Sequence, residues 1–293
     1  MGLISKIIEA PQKGYSKPEI IRSLGIFCEI FEDKLIDFLP KIIQILLECL
    51  QEEDLELHEP IRDSFGKIAK HILSNIPLPE AGKETHVLLR NLWNLCGDAS
   101  RHTQIGSALC ISKILQGVRG EILHDSVERI SLKLTELLEK PECKATLQLL
   151  ECIMSLLVSV DDNASQLENS AKIVLPSVVQ NISNSEWNVR KLALEIIYLL
   201  TALAGETLEV YRDDLIEIVE QSRYDKVSLW LSEHNFLNLQ KRSKAFKKWQ
   251  SLLQMDSKTF EMFHKKNLVS FAEPLAQDSK TVQVSDSSTS LEN

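Results

Sequence analysis

A short sequence pattern recurs along this chain at nearly constant spacing, and it limits the fold more than any other feature. In its clearest copy, Val189 and Arg190 follow a polar turn, and a small residue, Ala193, comes four positions after Val189. The first residues of the related pairs are 42, 42, 44 and 38 positions apart. The pairs are Ile61-Arg62, Thr103-Gln104, Ala145-Thr146, Val189-Arg190 and Val227-Ser228. Repeats of this length must stack to bury their apolar faces, so the pattern predicts a helical solenoid.

The repeat length matches the roughly 40 to 47 residues of HEAT and armadillo repeats. A second repeated pattern supports this assignment, because residues 39–44 and 175–180 agree in residue type at all but one position. Both copies contain a proline, Pro40 or Pro176, which we expect inside an apolar helix where it bends the axis. The sequence therefore predicts an all-α, HEAT/armadillo-type solenoid.

Composition is consistent with this class. Hydrophobic residues make up 44% of the 293 positions, whereas Gly and Pro number only ten and nine. Apolar residues recur with helical period, and Ser16 with Glu19 resembles a capping box at the start of the first helix. The predicted helices cover residues 17–32, 35–50, 59–73, 81–95, 103–116, 121–139, 142–159, 167–182, 189–204, 211–223 and one or two more within 227–253.

Several functional classes are excluded by what the sequence lacks. No apolar run approaches the roughly 20 residues that span a bilayer, and no signal peptide begins the chain, so we expect a cytosolic protein. The six cysteines form no CxxC pair and the seven histidines show no ligand spacing, so we expect reduced core thiols, no metal and no cofactor. No catalytic motif occurs, and we expect no enzyme.

The end of the chain differs from the rest. Residues 241–266 contain eight basic and two acidic residues, a local net charge of +6 in a chain whose net charge is −9. Beyond about residue 267 the sequence is polar and rich in Ser and Thr, which is typical of disorder. We therefore predict a repeat array of five to six helical pairs over residues 1–253, and a basic flank with a disordered tail over 254–293.

The predicted turns between helices, with the helix starts that follow them, resemble those of one particular family. The segments that carry the resemblance are Gln104-Ile105-Gly106 with Ala108-Leu109-Cys110, Cys143-Lys144-Ala145, residues 186–191, and Arg223-Tyr224-Asp225-Lys226-Val227. In order and spacing they are similar to the N-terminal HEAT array of the Tortifolia/Spiral-type microtubule-associated proteins, which is itself similar to tubulin-binding TOG domains. The resemblance covers about residues 35–227. The sequence departs from the family pattern after Val227, where Ser228-Leu229-Trp230 stand in place of the Val-Arg pair that the family has.

The resemblance implies a binding site on the turns within each helical pair, because TOG-type domains meet tubulin through that edge. The candidate tubulin-binding residues are Trp187, Arg190, Lys191, Arg223, Lys226, Arg101 and Lys144. Such a row of cations suits an acidic filament even in a protein of negative net charge. That net charge argues against nonspecific binding of nucleic acid.

Each candidate has a structural alternative. Arg190 either contacts the partner or pairs with an acidic residue in a neighbouring turn. Trp187 is either an interface anchor or a plug over its own helix pair. Between Arg223 and Lys226, Asp225 could cap a helix; Arg101 and Lys144 could be ordinary solvated residues. The basic flank either assists filament binding or is a plain charged helix.

Two functions follow from these observations. The first is a non-enzymatic microtubule-binding module at the cytoskeleton, with actin or another cytoskeletal protein as a further partner. The second is a general HEAT scaffold that grips a peptide or folded protein with its helical face. Residues such as Asn91, Trp93 and Asn94 would serve the second function, and they are sparse.

Overall fold

The structure is a computed structural model that describes residues 16–52, 54–97, 100–160 and 163–204. All of them belong to the first of two units, residues 1–211 and 212–293, into which the chain divides. The predictions for the last repeat, the basic flank and the tail, with Arg223 and Lys226, lie outside the described residues.

Nine helices of ten residues or more occur in the described part of the chain, which contains no strand. They confirm the all-α class. The helices are α1 Lys17–Phe31, α2 Leu39–Leu50, α3 His58–Lys67, α4 Leu78–Cys96, α5 Arg101–Gly117, α6 Val127–Leu138, α7 Thr146–Ser159, α8 Ala164–Gln180 and α9 Trp187–Ala204.

Helix starts differ from the sequence predictions in two places. Pro40 lies in the first turn of α2 and not in its interior, where its missing N–H costs nothing; only Pro176 lies inside a helix, α8. The predicted capping box is also wrong, because the Ser16 side chain makes no cap hydrogen bond to the start of α1. Pro18 in the first turn of α1 has the fixed φ that a helix start requires.

Irregular segments divide three of the predicted helices. Residues 35–38 belong to a 3-10 segment, Glu32–Phe38, that precedes α2. A π-helical segment, Ile68–Ile72, follows α3. The predicted helix 121–139 is broken into a short helix, Gly120–Leu123, a 3-10 turn and α6. The helix predicted from residue 142 begins only at Thr146, after a turn.

The helices form two layers. The odd-numbered helices α1, α3, α5, α7 and α9 pack side by side in chain order, and each even-numbered helix packs on the odd-numbered helix that follows it. The short connections make each pair antiparallel. The repeat anchors occupy equivalent positions at the starts of the odd helices, since Ile61, Thr103, Ala145 and Val189 are all at most 3% exposed. The sequence period therefore marks the packing of one odd helix on the next.

Hydrogen bonds between neighbouring repeats have the same period. Ser64 Oγ donates to the Ile21 carbonyl at 3.0 Å, 43 residues away, and Cys152 Sγ donates to the Ala108 carbonyl at 3.1 Å, 44 residues away. A hydroxyl pair, Ser112 and Ser155, is buried between α5 and α7 at 3.0 Å. Buried polar groups need such partners, so these bonds help to set the register between stacked helices.

All six cysteine thiols are free, and Cys28, Cys96, Cys110 and Cys152 are buried. Burial raises the pKa of Cys28 and of Cys96 to about 12, so these thiols stay protonated at neutral pH. Four of the six cysteines thus lie in the core, as the sequence predicts, whereas Cys49 and Cys143 are only partly buried. Within the described ranges, no helix is both long enough and apolar enough to span a bilayer.

Candidate functional site

The connections within the helical pairs all lie at the end of the stack where odd helices begin. They are turn 1 (described residues 51–52 and 54–57), turn 2 (described residues 97 and 100), turn 3 (139–145) and turn 4 (181–186). We call these turns, together with the first five residues of each following helix, the turn edge. Five of the seven candidate residues belong to it.

Contacts between successive turns confirm that they are neighbours in space. At turn 1, Glu52 forms an ion pair of 2.7 Å with Lys17, the first residue of α1. The ring centroids of His58 and His102, at the starts of α3 and α5, are 6.2 Å apart. Near turn 4, Ser177 Oγ donates to Glu139 of turn 3 at 2.6 Å.

His58 is a buried titratable group on this edge, at 7% exposure. Its Nε2 atom has no hydrogen-bond partner among the described residues, and it would lie 3.2 Å from a Cβ placed on Gly106. Burial, and secondarily the neighbouring His102, lower the pKa of His58. The ring is therefore held neutral near physiological pH. No local sequence pattern indicates this pair, because its members are 44 residues apart.

Trp187 begins α9 and is 54% exposed. Lys191, one turn further along the helix, holds its Nζ 6.0 Å from the indole centroid and lies 3.9 Å from Glu195 Oε1. Burial raises the pKa of Glu195, and Lys191 opposes the shift. Because more than half of the Trp187 residue is exposed, it does not cover the end of its helix pair as a core residue would; its role as an interface anchor stays a prediction.

Arg190 braces the turn that precedes its own helix. Its Nη1 donates to the carbonyl oxygens of Asn184 and Ser185, both at 2.9 Å. The structural alternative had assigned it an acidic partner in a neighbouring turn, whereas these bonds go to main-chain oxygens of turn 4. Arg190 thus holds the backbone that presents Trp187.

Arg101 and Lys144 are both exposed, at the start of α5 and in turn 3. Neither forms an ion pair with another described residue, so both charges face solvent. The Lys144 main-chain N–H, in contrast, is fixed by a 2.8 Å hydrogen bond to Gln104 Oε1. The structure therefore brings Arg101, Lys144, Trp187, Arg190 and Lys191 to one edge.

Turn 1 does not continue the row of cations. Asp54 and Glu56 are exposed, and neither forms an ion pair within the described part of the chain. Leu55 between them is 63% exposed. The turn edge is thus acidic at its N-terminal end, whereas its described part from α5 onward has more basic than acidic side chains. The basic ones are Arg101, Lys140, Lys144, Arg190 and Lys191, and the acidic ones are Glu139, Glu142 and Glu186.

A groove of about 390 Å³ lies between α2 and α4, near turns 1 and 2. Asn91 and Asn94, which the scaffold hypothesis would use, line it together with Gln44 and Leu47. Trp93, the third residue of that set, is 6% exposed and belongs to the core.

The fold and the repeated turns define a helical repeat solenoid of the HEAT and armadillo class. Solved structures agree at the level of the fold. Karyopherin Kap121p matches 86% of this chain and 23% of its own, with a TM-score of 0.59 and 14% identity. A chain of the Kap95p structure with RanGDP matches 85% and 29%, with a TM-score of 0.54 and 13% identity.

Sequence comparison is more specific. The TORTIFOLIA1 N-terminal family matches residues 3–230, and the chain belongs to this family. This confirms the family resemblance that the sequence of its turns and helix starts predicts. The microtubule-associated protein TORTIFOLIA1 of Arabidopsis thaliana is 22% identical over 218 residues, 72% of this chain and 24% of the relative. TORTIFOLIA1-like protein 5 of the same plant is 23% identical over 226 residues, 75% of this chain and 43% of the relative. The matched part of the chain thus spans less than half the length of either relative.

Proposed function

We propose that this chain is a non-enzymatic module that binds tubulin in the microtubule lattice through the turn edge. One observation carries the proposal: the turns of successive repeats lie side by side and expose Trp187, Arg101 and Lys144 along one edge, with Lys191 partly buried beside Trp187. The relative named a microtubule-associated protein supports the choice of partner.

The charges on this edge suit an acidic filament. A localised cationic strip raises the rate of association with an acidic surface, even when the net charge is negative. Because these side chains are exposed, salt screens their interaction with a partner over a Debye length of about 8 Å at physiological ionic strength. Binding should therefore weaken steeply as salt is raised.

The candidate residues have different roles in this proposal. Trp187 supplies a flat apolar anchor, and Lys191, Arg101 and Lys144 supply charge. Arg190 acts mainly through turn 4, whose carbonyl oxygens it binds. Arg223 and Lys226 lie outside the described residues, and they stay candidates on the family resemblance alone.

Cosedimentation with stabilised microtubules at two salt concentrations tests the proposal. The variant Arg101→Glu with Lys144→Glu should lose most of its binding at low salt. The control, Lys83→Glu with Arg129→Glu, makes the same change in net charge at exposed positions in the first halves of α4 and α6. Wild-type protein that stays in the supernatant at low salt, or equal losses in both variants, would contradict the proposal.

The groove between α2 and α4 favours a second candidate, a scaffold that binds an extended peptide. Its carboxamides, on Gln44, Asn91 and Asn94, can donate to and accept from peptide main chain, and Leu47 provides apolar surface. Asn91→Ala with Asn94→Ala should then weaken partner capture and leave microtubule pelleting unchanged. Unchanged capture would remove this candidate.

A further inference from the structure

One buried side chain connects two turns of the turn edge directly. Gln104 lies in the first turn of α5 and is 3% exposed. Its Oε1 accepts a hydrogen bond of 2.8 Å from the main-chain N–H of Lys144, 40 residues away in turn 3. Its own carbonyl oxygen accepts from Cys96 Sγ at 3.8 Å, at the end of α4. Gln104 therefore contacts both α4, the other helix of its own pair, and turn 3 of the following helical pair.

The same end of α5 also contacts turn 1. A Cβ on Gly106 would lie 2.6 Å from Leu50 Cδ1, at the end of α2, and 3.2 Å from His58 Nε2. Glycine at position 106 thus lets the pair α2–α3 approach α5 closely, while Gln104 binds turn 3 of the pair α6–α7. Residues 101–106 keep three consecutive turns at fixed spacing.

Turn 3 has few other attachments among the described residues. Within the turn, the Cys143 N–H donates to the Lys140 carbonyl at 3.0 Å. At its beginning, Glu139 accepts from Ser177 at 2.6 Å. The bond from Lys144 to Gln104 is the one that ties the end of the turn, next to the start of α7, to α5.

We propose that Gln104 is a positioning residue of the turn edge, which sets the place of Lys144 relative to Arg101. A glutamine suits this task because its neutral carbonyl oxygen accepts a hydrogen bond without the desolvation cost of a buried charge. The effect on binding rests on the function proposed above, whereas the positioning itself does not.

Amide hydrogen exchange on the whole chain tests the positioning. In Gln104→Leu, the Lys144 amide should exchange about fivefold faster or more, since a typical hydrogen bond is lost. The control is Ser131→Ala in the first half of α6. It removes a buried hydrogen bond of 3.0 Å from the Ser131 hydroxyl to Ser170 of α8, and it should leave the exchange of the Lys144 amide unchanged.

Microtubule binding tests the consequence by a double-mutant comparison. Gln104→Leu should weaken pelleting roughly fivefold in the wild-type background and have no further effect when Lys144 is already alanine. Loss of stability alone would weaken both backgrounds equally. If Gln104→Leu does not fold, Gln104→Asn, whose shorter side chain does not reach turn 3, replaces it.

The outcomes are distinguishable. Unchanged exchange of the Lys144 amide in Gln104→Leu overturns the positioning role. Equal weakening in both backgrounds overturns the action through Lys144. Failure of the wild-type chain to pellet refutes the proposed function, while faster exchange at Lys144 would still establish the positioning.

Discussion

Replacing Trp187 with alanine should separate partner binding from stability. The indole is 54% exposed, and its described ring contact is with Lys191 Nζ at 6.0 Å. An exposed cation–π contact contributes about 0.5 to 1 kcal/mol. We therefore expect the variant to lose about 1 kcal/mol of unfolding free energy, or roughly 2 to 4 °C in Tm for a domain of this size.

The expected loss of microtubule affinity is larger. An aromatic anchor at the centre of an interface contributes about 2 kcal/mol or more, and this corresponds to a roughly 30-fold higher Kd. Cosedimentation over a range of microtubule concentrations measures the Kd, and calorimetry measures Tm.

Leu132→Ala is a matched control for this variant. Leu132 is also 54% exposed, but it lies within α6 and away from the turn edge. We expect it to change the Kd less than twofold. A Trp187→Ala variant that keeps its affinity but loses roughly 6 to 20 °C in Tm would refute the reasoning, because truncation of a buried core aromatic costs about 3 to 5 kcal/mol.

Three further predictions follow from the contacts on the turn edge. Gly106→Ala should cost about 1 to 3 kcal/mol in urea unfolding, whereas Gly82→Ala, where the nearest atom would be 3.8 Å away, should be neutral or stabilising. Because the pKa of His58 is lowered in the folded state, its contribution to stability is complete above about pH 6.5 and is lost as the pH falls below that value; His58→Gln should show a smaller fall in Tm between pH 7.5 and 5.5. Asp54→Asn with Glu56→Gln should tighten microtubule binding about threefold to tenfold at low salt, since two repelling charges are removed.

Each of these predictions has an outcome that contradicts it. Equal stability of the two alanine variants would show that α5 and turn 1 are not closely packed. Identical pH profiles with and without His58 would exclude it as the titrating group. For the acidic turn, the control is Glu80→Gln with Glu84→Gln, which removes two exposed charges at the start of α4; equal tightening in both would mean that turn 1 does not face the filament.

The repeat architecture was predictable because every copy must solve the same packing problem. The same kind of buried position recurs near the start of each odd helix from α3 to α9, at Ile61, Thr103, Ala145 and Val189. Because such a position accepts small or apolar residues, the repeat length can be seen in the sequence. The cationic positions of turns 2 to 4 were also predictable, because they adjoin those anchors in sequence.

The details of the turns were not predictable from local sequence. The break before α6 and the first-turn position of Pro40 depend on how neighbouring helices pack. Apolar residues continue with helical period across both positions, so the sequence does not show that a helix begins there. The bond from Gln104 to Lys144 joins residues 40 positions apart, and the main-chain partners of Arg190 depend on the path of turn 4. A single sequence carries no signal for such contacts.

Hydrogen exchange of the chain bound to microtubules tests the central claim most directly. The account predicts slower exchange on binding at residues 139–145 and 183–187, which belong to the turn edge. It predicts no change at residues 118–126, which connect α5 to α6 at the opposite end of the helices. Protection at 118–126 with unchanged exchange at both turns would contradict the account.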